Sequence, residues 1–126
     1  MQTAILYMQN NLLLGGISHA LKERGEIFTA TIKKAEDLPQ TARTLGASIM
    51  LMEVSKAPQH SFLECMAIVQ KIRFFSLPVK IAFLVDENSD KAMAEQCKEA
   101  KKKGQIDAFF YASVSGEYLS AALDSL

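Results

Sequence analysis

The chain has 126 residues, a length for one domain, and 49% of them are hydrophobic, so a core that removes roughly two-thirds of the unfolded surface from water is within reach. Lysine plus arginine number 14 and aspartate plus glutamate 14, for a formal net charge of zero. That balance excludes the basic excess of a nucleic-acid-binding surface, and no apolar run approaches the roughly 20 residues of a membrane helix.

Residues 3–8 (TAILYM) are apolar and too few for a lone helix, which predicts a first strand. Gln9, Asn10 and Asn11 stop it, and Asn11 is the expected N-cap of the next helix. Leu13, Ile17, Ala20 and Leu21 recur at helical spacing up to Gly25. Gly15 and Gly16 weaken that helix by up to about 1 kcal/mol each against alanine, and close backbone packing is one reason a helix can carry them. Residues 27–32 (IFTATI) predict strand two, 36–45 a short helix stopped by Gly46, and 47–54 (ASIMLMEV) strand three. After the loop 55–60, Ser61 and Glu64 form a capping-box pattern for a helix burying Phe62, Met66, Val69 and Ile72. Pro78 opens strand four, residues 79–85. Asp86 to Ser89 is a turn and cap, a helix spans 90–103, and Gly104 ends it. Residues 108–111 (AFFY) predict strand five. A last helix begins near Ser115 and buries Leu119, Ala122, Leu123 and Leu126.

Strands that alternate with helices pair in parallel. Consecutive apolar positions in strands one, three and four fit a sheet covered on both faces. The expected fold is α/β, flavodoxin-like: a doubly wound three-layer sandwich on a five-stranded parallel sheet of order 2-1-3-4-5. Ligands of such sheets bind beyond the carboxyl ends of the strands where the winding reverses. That singles out Glu53, which closes the run Ile49-Met50-Leu51-Met52, with Gln9, Asn10, Phe83, Leu84, Ala112 and Ser113 around it.

The segments Ala4 to Asn11, Ser48 to Glu53, Pro78 to Phe83 and Asp107 to Ser115 together resemble, across nearly the whole chain, the receiver domain of two-component response regulators. The resemblance implies a phosphorelay module with a magnesium-binding acid pair, a phosphoacceptor aspartate, a switch hydroxyl and a lysine. Position by position those fall on Gln9 and Asn10, on Glu53, on Phe83 and on Ala112, so the diagnostic groups are replaced. Two amides and one carboxylate suit magnesium poorly, and phosphoryl transfer depends on charge neutralisation that these residues do not offer. The expectation is a degenerate receiver, or pseudo-receiver. It is not an enzyme, holds no metal or cofactor, and signals independently of aspartyl phosphorylation through a protein partner or as a homodimer. The aromatic switch at Phe109 is expected to be uncoupled. By position, the resemblance puts the interface at Lys91, Glu95, Tyr111, Glu117 and Tyr118. Residues 1–126 form one receiver-like domain. The resemblance allows it to be the N-terminal part of a longer response regulator in transcription regulation, with a DNA-binding output domain beyond Leu126. The domain itself contacts neither nucleic acid nor membrane.

The alternative is a small-ligand sensor using a less polar cleft rimmed by Gln9, Glu53, Phe83 and Ala112. An enzyme built on Glu53, His60 and Cys65 ranks last, with His60 read as a surface-loop residue and Cys65 as core. His19 packs mid-helix or faces solvent. Lys98, Lys101, Lys102 and Lys103 suit a helix carboxyl end. Gly15-Gly16 lies inside a helix, so no nucleotide or flavin loop is expected. Two cysteines far apart, Cys65 and Cys97, fit reduced core thiols, and with no basic-then-apolar leader at the start a cytoplasmic location is expected.

Overall fold

The structure is a computed structural model, and it describes residues 2–25 and 27–126. Strands β1 (Gln2–Tyr7), β2 (Ile27–Thr31), β3 (Ile49–Val54), β4 (Lys80–Val85) and β5 (Ala108–Tyr111) alternate with helices α1 (Asn11–Glu23), α2 (Leu38–Leu45), α3 (Phe62–Phe74), α4 (Lys91–Lys102) and α5 (Gly116–Asp124). Every pairing is parallel, and the order β2-β1-β3-β4-β5 is the expected one.

Strict alternation along each strand splits the core in two. Met50, Met52 and Val54 of β3 and Ile81, Phe83 and Val85 of β4 face a larger cluster completed by α2, α3 and α4. Ile49 and Leu51, then Ala82 and Leu84, face a smaller cluster completed by Ile17 and Leu21 of α1 and Leu119 and Leu123 of α5. Each large aliphatic so buried contributes about 1.5–3 kcal/mol of transfer free energy, and the two layers make the central strands apolar on consecutive residues. Among the described residues no helix is long and apolar enough to cross a membrane.

Four helices start on the same device. The side chains of Asn10, Ser61, Asp90 and Ser115 accept from the N–H groups of Leu13, Glu64, Met93 and Tyr118 at 3.1, 3.2, 3.0 and 3.1 Å. Each such cap contributes about 1 kcal/mol. The cap of α1 is therefore Asn10, not Asn11, whose Oδ1 is taken by the Lys33 ammonium (3.1 Å). The capping box at Ser61 is only half made, because the Ser61 N–H goes to the Pro58 carbonyl (3.5 Å). The expected helix 36–45 opens as a 3₁₀ turn, Ala35–Asp37, and ends at Gly46 in the left-handed region (φ 60°), where glycine alone is unstrained.

Two packing expectations are corrected. Leu126 lies past the end of α5 and is 39% exposed, while Ser120 is buried instead. A Cβ added to Gly15 or Gly16 would meet nothing within 4 Å, so neither is there for close packing. The tight approach is at Gly116, whose added Cβ would stand 3.1 Å from that of Ala20.

Candidate functional site

The chain reverses its winding between β1 and β3, so the carboxyl ends of these strands open onto a crevice. Register puts Glu53 beside Leu84, and alternation turns both toward the α1/α5 side of the sheet. Gln9 and Asn10 follow β1 and lead into α1. Ala112 follows β5, its N–H bonded to the Val85 carbonyl (2.9 Å).

Glu53 is half-buried, and its carboxylate folds back onto the loop between β1 and α1. Its Oε1 accepts from the N–H of Gln9 at 2.7 Å and of Asn10 at 3.0 Å. These amides stand at the positive end of the α1 dipole, where an anion is held best. From the other side, Lys33 donates to the Met8 carbonyl at 2.8 Å. The loop is thus pinned by an anion on its amides and a cation on its carbonyl. The Lys33 arm escaped the sequence reading; its only trace is a long cation just past β2, the strand next to β1.

Around Glu53 lies a cavity of about 140 Å³ whose lining includes Asn10, Lys56, Leu84, Asp86, Asp90 and Ala112. Phe83 and Gln9 are not in its wall. Phe83 is fully buried, on the opposite face of β4 from Glu53, with its ring edge-on to Phe62 at 6.2 Å. Placing Phe83 at the rim of the cleft is therefore corrected: Leu84 holds that place, and the period-two alternation of β4 carries the signal for it. Among the described residues no three His, Cys, Asp or Glu side chains are grouped to hold a metal. The magnesium ion of the resemblance does not fit this donor set, because the one carboxylate among the expected ligands already spends an oxygen on two amides.

His60 is also corrected. It is 5% exposed rather than on the surface, because it sits in a 3₁₀ turn (Pro58–His60) that folds under β3. Its ring stacks on Tyr7 with centroids 4.2 Å apart, and its Nδ1 is 2.6 Å from the Glu53 carbonyl. The Tyr7 hydroxyl donates to the Gln59 carbonyl (3.1 Å). Cys65 Sγ lies 3.6 Å from the His60 carbonyl and 3.8 Å from that of Glu53. Glu53, His60 and Cys65 do converge, but through the backbone of Glu53. The carboxylate faces the loop after β1, so they form no nucleophile–base set. Burial, first of all, pushes the Cys65 thiol up to about 12, with Cys97, Glu53 and Glu64 adding repulsion; burial pushes Cys97 up to about 12 as well. Neither is a poised thiolate.

The expected interface residues Lys91, Glu95, Tyr111, Glu117 and Tyr118 are all exposed on α4, β5 and α5. The Phe109 ring is half-buried and edge-on to Tyr111 at 5.4 Å. His19 faces solvent 3.7 Å from Glu23, and Lys98, Lys101, Lys102 and Lys103 form a solvated helix end.

No protein-family model and no curated protein sequence matches the chain. Solved structures do. It is similar to a DNA-binding response regulator of the LuxR family from Staphylococcus aureus, with TM-score 0.76, 13% identity, and 99% of this chain and 98% of that one covered. It is similar to an orphan response regulator of H. pylori, with TM-score 0.74, 16% identity, and 98% and 94% covered. A third similar structure represents redox sensors of the streptococci that evolved from two-component response regulators. There the TM-score is 0.79 and the identity 13%, and 99% of this chain aligns with 50% of that one. With strand order β2-β1-β3-β4-β5, four crossover helices followed by α5, and end-to-end coverage, the chain has the fold of the response-regulator receiver domain.

Proposed function

We propose that the chain is a pseudo-receiver: a non-catalytic, cytoplasmic signalling module that acts by protein–protein contact or dimerisation, without phosphorylation of an aspartate. The observation that carries this reading is the carboxylate of Glu53 bound to the Gln9 and Asn10 amides. One oxygen of the group that would take a phosphoryl is already a structural acceptor, and the positions of the acid pair and the lysine hold Gln9, Asn10 and Ala112. Transfer to the remaining oxygen of Glu53 would build up negative charge in a cavity that Asp86 and Asp90 also line, against the single cation Lys56. The interface we assign is the α4, β5 and α5 face around Lys91, Glu95, Tyr111, Glu117 and Tyr118. An output domain after Leu126, DNA-binding as in the S. aureus relative, fits the same reading. That structures of the same fold include an orphan regulator and redox sensors descended from response regulators supports it.

Incubation with acetyl phosphate and magnesium tests this directly. Intact mass stays unchanged under the proposal. A stoichiometric phosphoryl adduct on Glu53 overturns it.

A further inference from the structure

A second cavity, of about 400 Å³, runs between α1 and α5 and is walled by Leu12, Leu13, Ile17, Val114 and Leu119. It opens onto the cavity at Glu53, since Asn10, Leu13, Leu84 and Ala112 line both. We propose that this groove binds a small amphiphilic amine, its aliphatic body between the two helices and its ammonium head at the strand ends.

Three independent observations meet here. The volume lies in the range of small-molecule sites, roughly 300–1,000 Å³, and the walls are apolar with polar groups gathered at one end. Gly16 forms part of the α1 wall, and a Cβ on it would meet nothing within 4 Å. A glycine inside a helix costs about 1 kcal/mol against alanine, and nothing in the fold repays that at Gly16, whereas Gly116 is explained by its contact with Ala20. The missing side chain at Gly16 leaves the α1 backbone open to the groove. The third observation is charge. Glu53, Asp86 and Asp90 line the inner cavity against the single cation Lys56. Each carboxylate uses one oxygen on backbone amides, Glu53 for Gln9 and Asn10 across the loop after β1, Asp86 for Asn88 and Asp90 for Met93. Among the described residues the second oxygens carry no hydrogen bond. An ammonium head is complementary to that end, and an anionic head is repelled.

The inference stands apart from the pseudo-receiver reading, because a phosphorylated Glu53 would sink that reading and leave the groove intact. Its test is an amide-resolved NMR titration with hexylamine, 1-hexanol and hexanoate. Hexylamine should give saturable shifts at Leu12, Leu13, Gly16 and Val114. Hexanol should bind about tenfold more weakly, and hexanoate more weakly still. Gly16→Leu, which fills the groove, should abolish hexylamine binding. Should that variant fail to fold, Asp86→Asn keeps the acceptor for the Asn88 amide. It should weaken hexylamine about threefold or more while leaving hexanol unchanged. No saturable shift up to about 10 mM, equal binding of amine and alcohol, or undiminished binding to Gly16→Leu overturns the proposal. So does a dimer that Gly16→Leu dissociates, which would give the groove to a second copy of the chain.

Discussion

Glu53 is an acid next to the end of an apolar strand, and what it does there is settled by two backbone amides. Charge-assisted hydrogen bonds from Gln9 and Asn10 hold the loop after β1 against β3. Glu53→Ala leaves both amides to water, and because they are exposed the cost should be about 1–2 kcal/mol rather than a full buried penalty. Glu53→Gln keeps an acceptor oxygen and should lose less than half of that. Urea unfolding of the three proteins measures both. An alanine variant as stable as the parent would mean that the carboxylate stabilises nothing and is free for another task. The position of this acid was readable in the sequence because a buried strand rarely ends in one without cause. Its partners were not readable, since a backbone N–H leaves no mark in the sequence. His60 was misread for a related reason: a loop histidine looks solvated until the fold stacks it on Tyr7, far away along the chain.

Elements were more legible than contacts. Five strands, five helices and the sheet order follow from apolar periodicity and from Gly25, Gly46 and Gly104, which stop the helices, because these are local signals repeated over whole segments. Asn10 and Asn11 both suit an N-cap, and the choice falls to Lys33, which holds Asn11 from across the loop. The resemblance puts Phe83 at the switch position, whereas the face a strand residue occupies is set by register with β3. At the end of the sheet away from Glu53, Asp107 joins three elements. It accepts from the Ile81 N–H at 2.8 Å and from Arg73 of α3 at 2.9 Å, while Arg73 also reaches the Val79 carbonyl at 2.9 Å. Burial alone would raise the Asp107 carboxyl, but the Ile81 amide, the Arg73 guanidinium and Lys80 hold it below the usual carboxylate value of 3.8. A carboxyl lowered in the folded state adds stability above its unfolded value, and that gain disappears as pH falls through the folded value. Asp107→Asn keeps an acceptor for Ile81 and loses the ion pair, worth about 1 kcal/mol for a partly exposed pair. The gap in thermal midpoint between the two proteins should hold from pH 7 to 5 and close as the pH falls below 3.8. A gap that does not change with pH would show that the charge of Asp107 is idle.

Taken as a whole, the molecule has two cores separated by one sheet, and Cys65 and Cys97 both lie in the larger of them, 0% exposed. Gly15 lies on the other side, on the exposed surface of α1, with open space around it. β1, β3 and β4 contribute residues to both cores, so neither layer can open without exposing the strands that hold the other. A domain of this size and build should unfold as one unit. Native thiols that are buried and pushed up to about 12 will then react with a maleimide or disulfide reagent only through that unfolding. Gly15→Ala removes a helix-interior glycine and should stabilise the domain by about 0.5–1 kcal/mol. If the sheet couples the two cores, that gain on the α1 face must slow labelling of both cysteines by about two- to fivefold, and by the same factor for each. Unequal slowing, or none, would show that the layer of α2, α3 and α4 opens independently of α1 and α5, and that the larger core is a separate cooperative unit.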